Sequence, residues 1–188
     1  MRLSEADIDR VLEEDIRFGD LTARALATGE KPGRMVFTAR RDLVKLSLKA
    51  IIAGGAECHR LGLFDTIMLF DEHRPFLTKP NDLNAIITKL KEYAPERAIM
   101  VEVTSKADAF GAAEAMAYVI QHEKFTLNIL ARVVLRRKRV DGRPVIAAAG
   151  GITAQNAGDH AKAGVDTLVT SALFYAKPVD IQVRISSL

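Results

Sequence analysis

The most constraining feature of this chain is an alternation repeated between residues 66 and 169. Five short, mostly apolar runs stand out: Thr66 to Phe70, Ala98 to Val103, Tyr118 to Gln121, Pro144 to Ala148 and Val165 to Val169. Runs of that length and composition suit strands buried on both faces. Helical spacing fills the intervals. Behind Asp82, the residues Leu83, Ile86, Ile87 and Leu90 fall at i, i+3, i+4 and i+7. Ser105 is placed to cap a helix through Ala109, Ala112, Ala113 and Met116, and Thr126 one through Leu130, Val133 and Val134. Thr153 is expected to cap the helix that follows Gly150-Gly151. Strand, helix, strand in repetition implies parallel strands joined by right-handed crossovers. Five strands cannot close an eight-stranded barrel. The expected class is therefore α/β, as an incomplete (β/α) barrel.

The flanks read differently. Ser4 with Asp7 resembles a capping box ahead of Ile8, Val11 and Leu12, and Met35 to Ala39 is strand-like. Leu46 to Ala53 is helical and ends at Gly54-Gly55. Asp180 to Ile185 alternates polar with apolar residues, as a half-exposed antiparallel strand does. Residues 1–44 are thus expected to be the remnant of a small α+β domain. Residues 45–178 form the partial barrel, and residues 179–188 return as a strand to the N-terminal sheet.

With 6% aromatic residues and no Trp, the core must rest on Ala, Val, Ile and Leu. A net charge of +3 is a weak basic excess, and its densest run, Arg136-Arg137-Lys138-Arg139, falls at a predicted helix end. Cations there complement the helix dipole, so no nucleic-acid partner is expected. Cys58 is the only cysteine and can form no internal disulfide, which suits a reducing cytoplasm. Residues 1–15 carry acids at short intervals, unlike a signal peptide, and no apolar run reaches membrane-spanning length. A cytoplasmic protein with no membrane partner is expected.

In parallel α/β folds, functional groups gather beyond the C-terminal strand ends. Gly150-Gly151-Ile152-Thr153 and the nearby Val169-Thr170-Ser171 lie there, and such turns can hold a phosphate on backbone N–H groups. A tight turn needing positive φ would also use these glycines. Glu102 and Glu123 each sit near a strand end. Carboxylates so placed can take sugar hydroxyls or Mg²⁺, or form a structural ion pair. His59-Arg60 offers donors to a carboxylate, although such a pair is often a surface feature. Asp71-Glu72-His73 suggests a metal, but adjacent residues converge poorly on one ion.

Together these motifs resemble the nicotinate-nucleotide pyrophosphorylase (quinolinate phosphoribosyltransferase) family. The similarity runs through Gly54-Gly55 with His59-Arg60-Leu61-Gly62-Leu63, Val101-Glu102-Val103, Gln121-His122-Glu123-Lys124-Phe125 and Gly150-Gly151-Ile152. The opening Glu14 to Thr22 also fits the family. The resemblance implies transfer of ribosyl phosphate from phosphoribosyl pyrophosphate to a pyridine carboxylate or a related small anionic acceptor. By resemblance, His59 and Arg60 hold the acceptor, Glu102 and Glu123 are catalytic and bind ribose hydroxyls and Mg²⁺, and Gly150, Gly151 and Ser171 meet the 5′-phosphate.

Two departures stand beside the resemblance. Phe70 replaces a family lysine, which argues against quinolinate itself and is similar to the ModD-like branch found in molybdate-transport gene neighbourhoods. Between Val44 and Lys45 a central part of the family pattern, with its substrate-binding cations, has no counterpart. Reduced activity follows as an expectation, as does a homo-oligomer, at least a dimer, in which a second subunit covers the exposed sheet edge. Two other functions fit less of the sequence: a non-catalytic phosphate-binding or assembly protein associated with molybdate transport, and a different sugar-phosphate barrel.

Overall fold

The computed structural model of the chain describes residues 21–26, 51–60, 63, 65–137 and 143–175. The expected helix near residue 8 and the strands at 35–39 and 180–185 lie outside these.

Five strands form one parallel sheet: β1 (Ile67–Leu69), β2 (Ile99–Val103), β3 (Val119–Glu123), β4 (Val145–Ala149) and β5 (Thr167–Leu168). They lie side by side in chain order. Each step to the neighbouring strand passes through a helical crossover, as the alternation predicts. The helices are α1 (Leu21–Leu26), α2 (Leu83–Tyr93), α3 (Lys106–Glu114), α4 (Leu127–Arg137) and α5 (Ala157–Lys162), with 3₁₀ turns at Asp71–Phe76 and Ala172–Tyr175.

Successive side chains of a strand point to opposite faces, and register carries each face across the sheet. On the helix-covered face, Ile67, Leu69, Ile99, Val101, Val103 and Ile120 enter one core. The four apolar residues of α2 join it, all at 5% exposure or less. Burying each contributes about 2 kcal/mol. The other face carries Met68, Met100, Glu102, Gln121 and Glu123. Glu102 is in register with Gln121, Gln121 with Ala147, and Glu123 with Ala149. Polar groups thus concentrate on this face towards the C-terminal strand ends, beside the methyl groups of β4.

Local chemistry sets the helix ends. Asp82 accepts the Ala85 N–H at 3.0 Å, and Ser105 Oγ accepts the Asp108 N–H at 3.1 Å. Gly55, at φ +80, closes the helical turn of residues 51–53. Two expectations need correction. Met116 is not on the buried face of α3: the helix stops at Glu114, and Met116 turns out at φ 59 with 60% exposure. Ala115 and Ala117 fill the core instead. Thr153 does not cap α5, which starts only at Ala157. Thr153 instead gives its N–H to Asn156 Oδ1 at 2.8 Å, while Asn156 Nδ2 donates to the Gly151 carbonyl at 2.9 Å.

The outer edge of β1 is partly closed. Thr22, on α1 and 2% exposed, accepts the Met68 N–H at 3.0 Å and donates to the Met68 carbonyl at 3.2 Å. One hydroxyl thus satisfies both the donor and the acceptor of that rung. At the other end, Asp166 accepts the Ile146 N–H at 2.8 Å and pairs with Arg137, so the last acid before β5 and the basic end of α4 fix each other. Among the described residues no helix is long and apolar enough to cross a membrane.

Candidate active site

The C-terminal strand ends bring Glu102, Glu123 and Gly150 near one another. Glu102 lies half-buried on the inner face of β2. Gln121 of β3, 5% exposed, donates through Nε2 to Glu102 Oε2 at 2.7 Å. Two residues on, Glu123 ends β3 and faces the turn after β4. A Cβ built on Gly150 would lie 2.6 Å from Glu123 Oε1 and 2.6 Å from Lys124 Cγ. Glycine suits residue 150 by its φ of +81, and an added Cβ would also have to displace the Glu123 and Lys124 side chains. Gly151, at φ +77, has open space where a side chain would be.

Charge is concentrated here. Burial raises the Glu102 pKa above the usual carboxylate range, the Gln121 hydrogen bond opposes this, and the neighbouring charges of Glu123, Glu72 and Asp71 add to the rise. Lys124 Nζ is 3.6 Å from Glu123 but mostly exposed, so it offsets little of this charge. Asp71 and Glu72 start the 3₁₀ turn after β1. Asp71 accepts from Thr104 Oγ1 at 3.2 Å, and its carboxylate stands 3.2 Å from Arg74 Nε. Arg74, 8% exposed, also donates to Asp108 at 3.1 Å, tying this turn to α3. His73 accepts the Phe70 N–H at 3.0 Å.

The segment after Gly55 borders a cleft whose lining includes none of Glu102, Glu123 and Gly150. His59 and Arg60 line a cleft of about 520 Å³ with Cys58, Val169, Thr170 and Leu173. Burial of the ring lowers the His59 pKa, the Arg60 charge lowers it further, and the Gln121 side chain pulls it back. The Arg60 guanidinium lies 5.6 Å from the centre of the Phe70 ring, a cation–π contact. Ser171 is exposed and does not border this cleft; its neighbour Thr170 does, donating to the Ile152 carbonyl at 2.6 Å and accepting the Ala172 N–H at 3.0 Å. Thr170 thus joins the turn after β4 to the one after β5.

Gln121 and Arg74 are absent from the sequence-based set. Nothing in a single sequence pairs Gln121 with Glu102; only the β2–β3 register does. His122, also overlooked, is fully buried on the helix side, with Nδ1 at 3.1 Å from the Ile120 carbonyl and its ring edge-on to Phe125.

Residues 23–184 match the quinolinate phosphoribosyl transferase, C-terminal domain family. The chain belongs to that family. Among its relatives, the ModD pyrophosphorylase-like protein of Pasteurella multocida is 31% identical over 95% of this chain and 65% of its own length. The ModD counterpart from Rhodobacter capsulatus is 46% identical over 63% of this chain and 45% of its own length. The crystal structure of a NadC deletion mutant superposes with a TM-score of 0.65 at 25% identity, covering 86% of this chain and 55% of that one. This quinolinate phosphoribosyl transferase family member therefore lies in the ModD-like branch and spans about half to two thirds of the length of these relatives. The sheet and its crossovers are the family's α/β architecture.

Proposed function

We propose that the chain transfers ribosyl phosphate from phosphoribosyl pyrophosphate to a small anionic heterocyclic acceptor, releasing diphosphate. The observation that carries this reading is the junction of Glu123 with Gly150: a carboxylate suited to sugar hydroxyls touches a glycine turn suited to a phosphate. A ribose 5-phosphate carries hydroxyls for the one and a phosphate for the other. His59 and Arg60 border a cleft formed with Cys58, Val169 and Thr170, where we place the acceptor anion.

In the reaction, a ring nitrogen of the acceptor attacks C1′ as the bond from C1′ to the diphosphate oxygen breaks. The electron pair leaves with diphosphate, and C1′ passes through a cation-like state. Glu102 and Glu123 stabilise that positive charge, and the two strand-end turns hold the phosphate so that the acceptor and C1′ stay aligned.

The donor set also fits Mg²⁺. Among the described residues no group of three or more His, Cys, Asp or Glu side chains could cage an ion. Mg²⁺ commonly uses one or two carboxylates with waters and substrate phosphates. Glu102, crowded by other acids and half-buried, and Glu123 are the residues that would hold it. When bound, the ion neutralises charge on the leaving diphosphate.

The test is direct. Purified chain, phosphoribosyl pyrophosphate, Mg²⁺ and a panel of pyridine carboxylates are followed by ³¹P NMR for diphosphate release. Expected is slow, acceptor-dependent release below that of a longer relative, and lost in Glu123→Ala. Acceptor-independent release, or release unchanged in Glu123→Ala, refutes the reading. The homo-oligomer is part of the proposal: among the described residues β5 pairs on one side only, which favours cover by a second copy. Light scattering is expected to give at least a dimer, and a monodisperse monomer counts against it.

A further inference from the structure

We propose that Lys124 is the cation that meets the donor's 5′-phosphate at the Gly150-Gly151 turn, and that its left-handed backbone is what brings it there. Along an extended strand, neighbouring side chains point to opposite faces. His122 is accordingly buried on the helix side, and Glu123 faces the turn after β4. One more step of the alternation would send Lys124 back to the helix side. It does not go there. Lys124 gives its N–H to the Ala149 carbonyl at 2.9 Å, which adds a bond between the ends of β3 and β4, and at that residue the backbone turns to φ 55. Two consecutive side chains then reach one glycine: Glu123 Oε1 and Lys124 Cγ each lie 2.6 Å from where a Cβ on Gly150 would be.

Positive φ is uncommon outside Gly, Asn and Asp, because the Cβ crowds the following carbonyl. Such conformations persist where the surrounding structure imposes them, and they gather at binding sites. At residue 124 the consequence of the strain is the placement of a cation.

The chemistry of the turn calls for that cation. A phosphate dianion on the N–H groups of Gly150-Gly151 would stand close to the Glu123 carboxylate, and like charges repel. Lys124 Nζ, 3.6 Å from Glu123 Oε1, supplies the opposite charge. With the Lys124 side chain 78% exposed, that ion pair is weak, so Glu123 does not hold the ammonium back. A phosphate oxygen offers it a stronger charge-assisted contact. Beside it, Gly151 has nothing within 4 Å of an added carbon and leaves room for the anion. The ligand class is therefore a sugar with a terminal phosphate monoester, its hydroxyls on Glu123 and its phosphate between Lys124 and the turn. This rests on the phosphoribosyl-transfer reading for the presence of a phosphate there.

Calorimetric titration of the full chain with ribose 5-phosphate and, separately, with inorganic diphosphate tests the assignment without turnover. The parent should bind ribose 5-phosphate, and Lys124→Met should weaken it about tenfold. Lys124→Arg, which keeps the charge, should restore most of the affinity. Lys124→Gly should lose affinity as Lys124→Met does, yet unfold at no lower temperature than the parent, because glycine relieves the left-handed backbone. That variant separates a lost charge from a lost fold. Diphosphate binding should change less than ribose 5-phosphate binding. Unchanged ribose 5-phosphate binding in Lys124→Met or Lys124→Gly overturns the proposal, as does a loss in Lys124→Arg as deep as in Lys124→Met. An equal or larger effect on diphosphate assigns the lysine to the leaving group and overturns it too. A Lys124→Gly chain that melts well below the parent overturns the backbone half. A parent that does not bind ribose 5-phosphate removes the transfer reading and the proposal with it, whereas a parent that binds it as well as Lys124→Met removes the lysine assignment alone.

Discussion

Replacing Gly150 and Gly151 by alanine separates two costs that coincide at most glycine turns. Both residues lie in the left-handed region, at φ +81 and +77. For a residue with a Cβ, that conformation costs about 1–2 kcal/mol. At Gly151 nothing lies within 4 Å of the added carbon, so this backbone cost is all that Gly151→Ala should show. At Gly150 the carbon would meet Glu123 Oε1 at 2.6 Å, Glu123 Cδ at 2.8 Å and Lys124 Cγ at 2.6 Å. Relieving such overlap adds about 1–3 kcal/mol. In a chain of this size each kcal/mol moves Tm by roughly 2–4 °C. Thermal and urea unfolding should therefore place Gly151→Ala a few degrees below the parent and Gly150→Ala at about twice that loss. In a Glu123→Ala background two of the three contacts disappear and Lys124 Cγ remains, so the cost of Gly150→Ala should fall part of the way towards that of Gly151→Ala. Equal costs at the two glycines, or strict additivity with Glu123→Ala, would refute the close approach of Glu123 to the turn.

The other predictions concern titration. Burial holds the folded-state pKa of His122 below its ordinary value, so the unfolded chain binds the extra proton first as pH falls. The sign follows: stability should decline as pH drops below about 6.5, by at most roughly 1.4 kcal/mol per unit from this group. His122→Leu should flatten the dependence in urea titrations between pH 7.5 and 5, and an unchanged slope would clear His122 of the effect. Glu102 has the opposite linkage. Its folded pKa is raised, so its contribution is present in acid and is lost as pH rises through that pKa. Glu102→Gln should raise Tm at pH 8 relative to the parent, with the gain shrinking as the solution is acidified, while diphosphate release is lost. A destabilised Glu102→Gln at pH 8 would contradict the crowding of acids around this residue.

The elements that could be read from the sequence are those whose pattern is local. All five strands and the faces of α2 and α4 appear in the spacing of Leu, Ile and Val, because burial against one sheet imposes that period. Ser105 and Asp82 could be recognised as caps because a cap acts within three residues. Met116 misleads since an apolar residue just past a helix end keeps the period while the backbone turns away. Thr153 misleads because Asn156 takes its N–H into a turn before α5 begins. The site divides in the same way. Glu102, Glu123 and Gly150 declare themselves by residue type at strand ends. Gln121 becomes meaningful only through the register of two strands, and Thr170, not Ser171, borders the cleft only through the path of the chain after β5.

Asn156 has a consequence beyond the placement of α5. By clasping Gly151 and Thr153 at once, it braces the loop. A flexible loop must surrender conformational freedom whenever it captures an ion, and affinity falls by that amount. On the proposed reading the stiffening is complete on folding, so a phosphate at the Gly150-Gly151 bend would meet a turn with little left to organise.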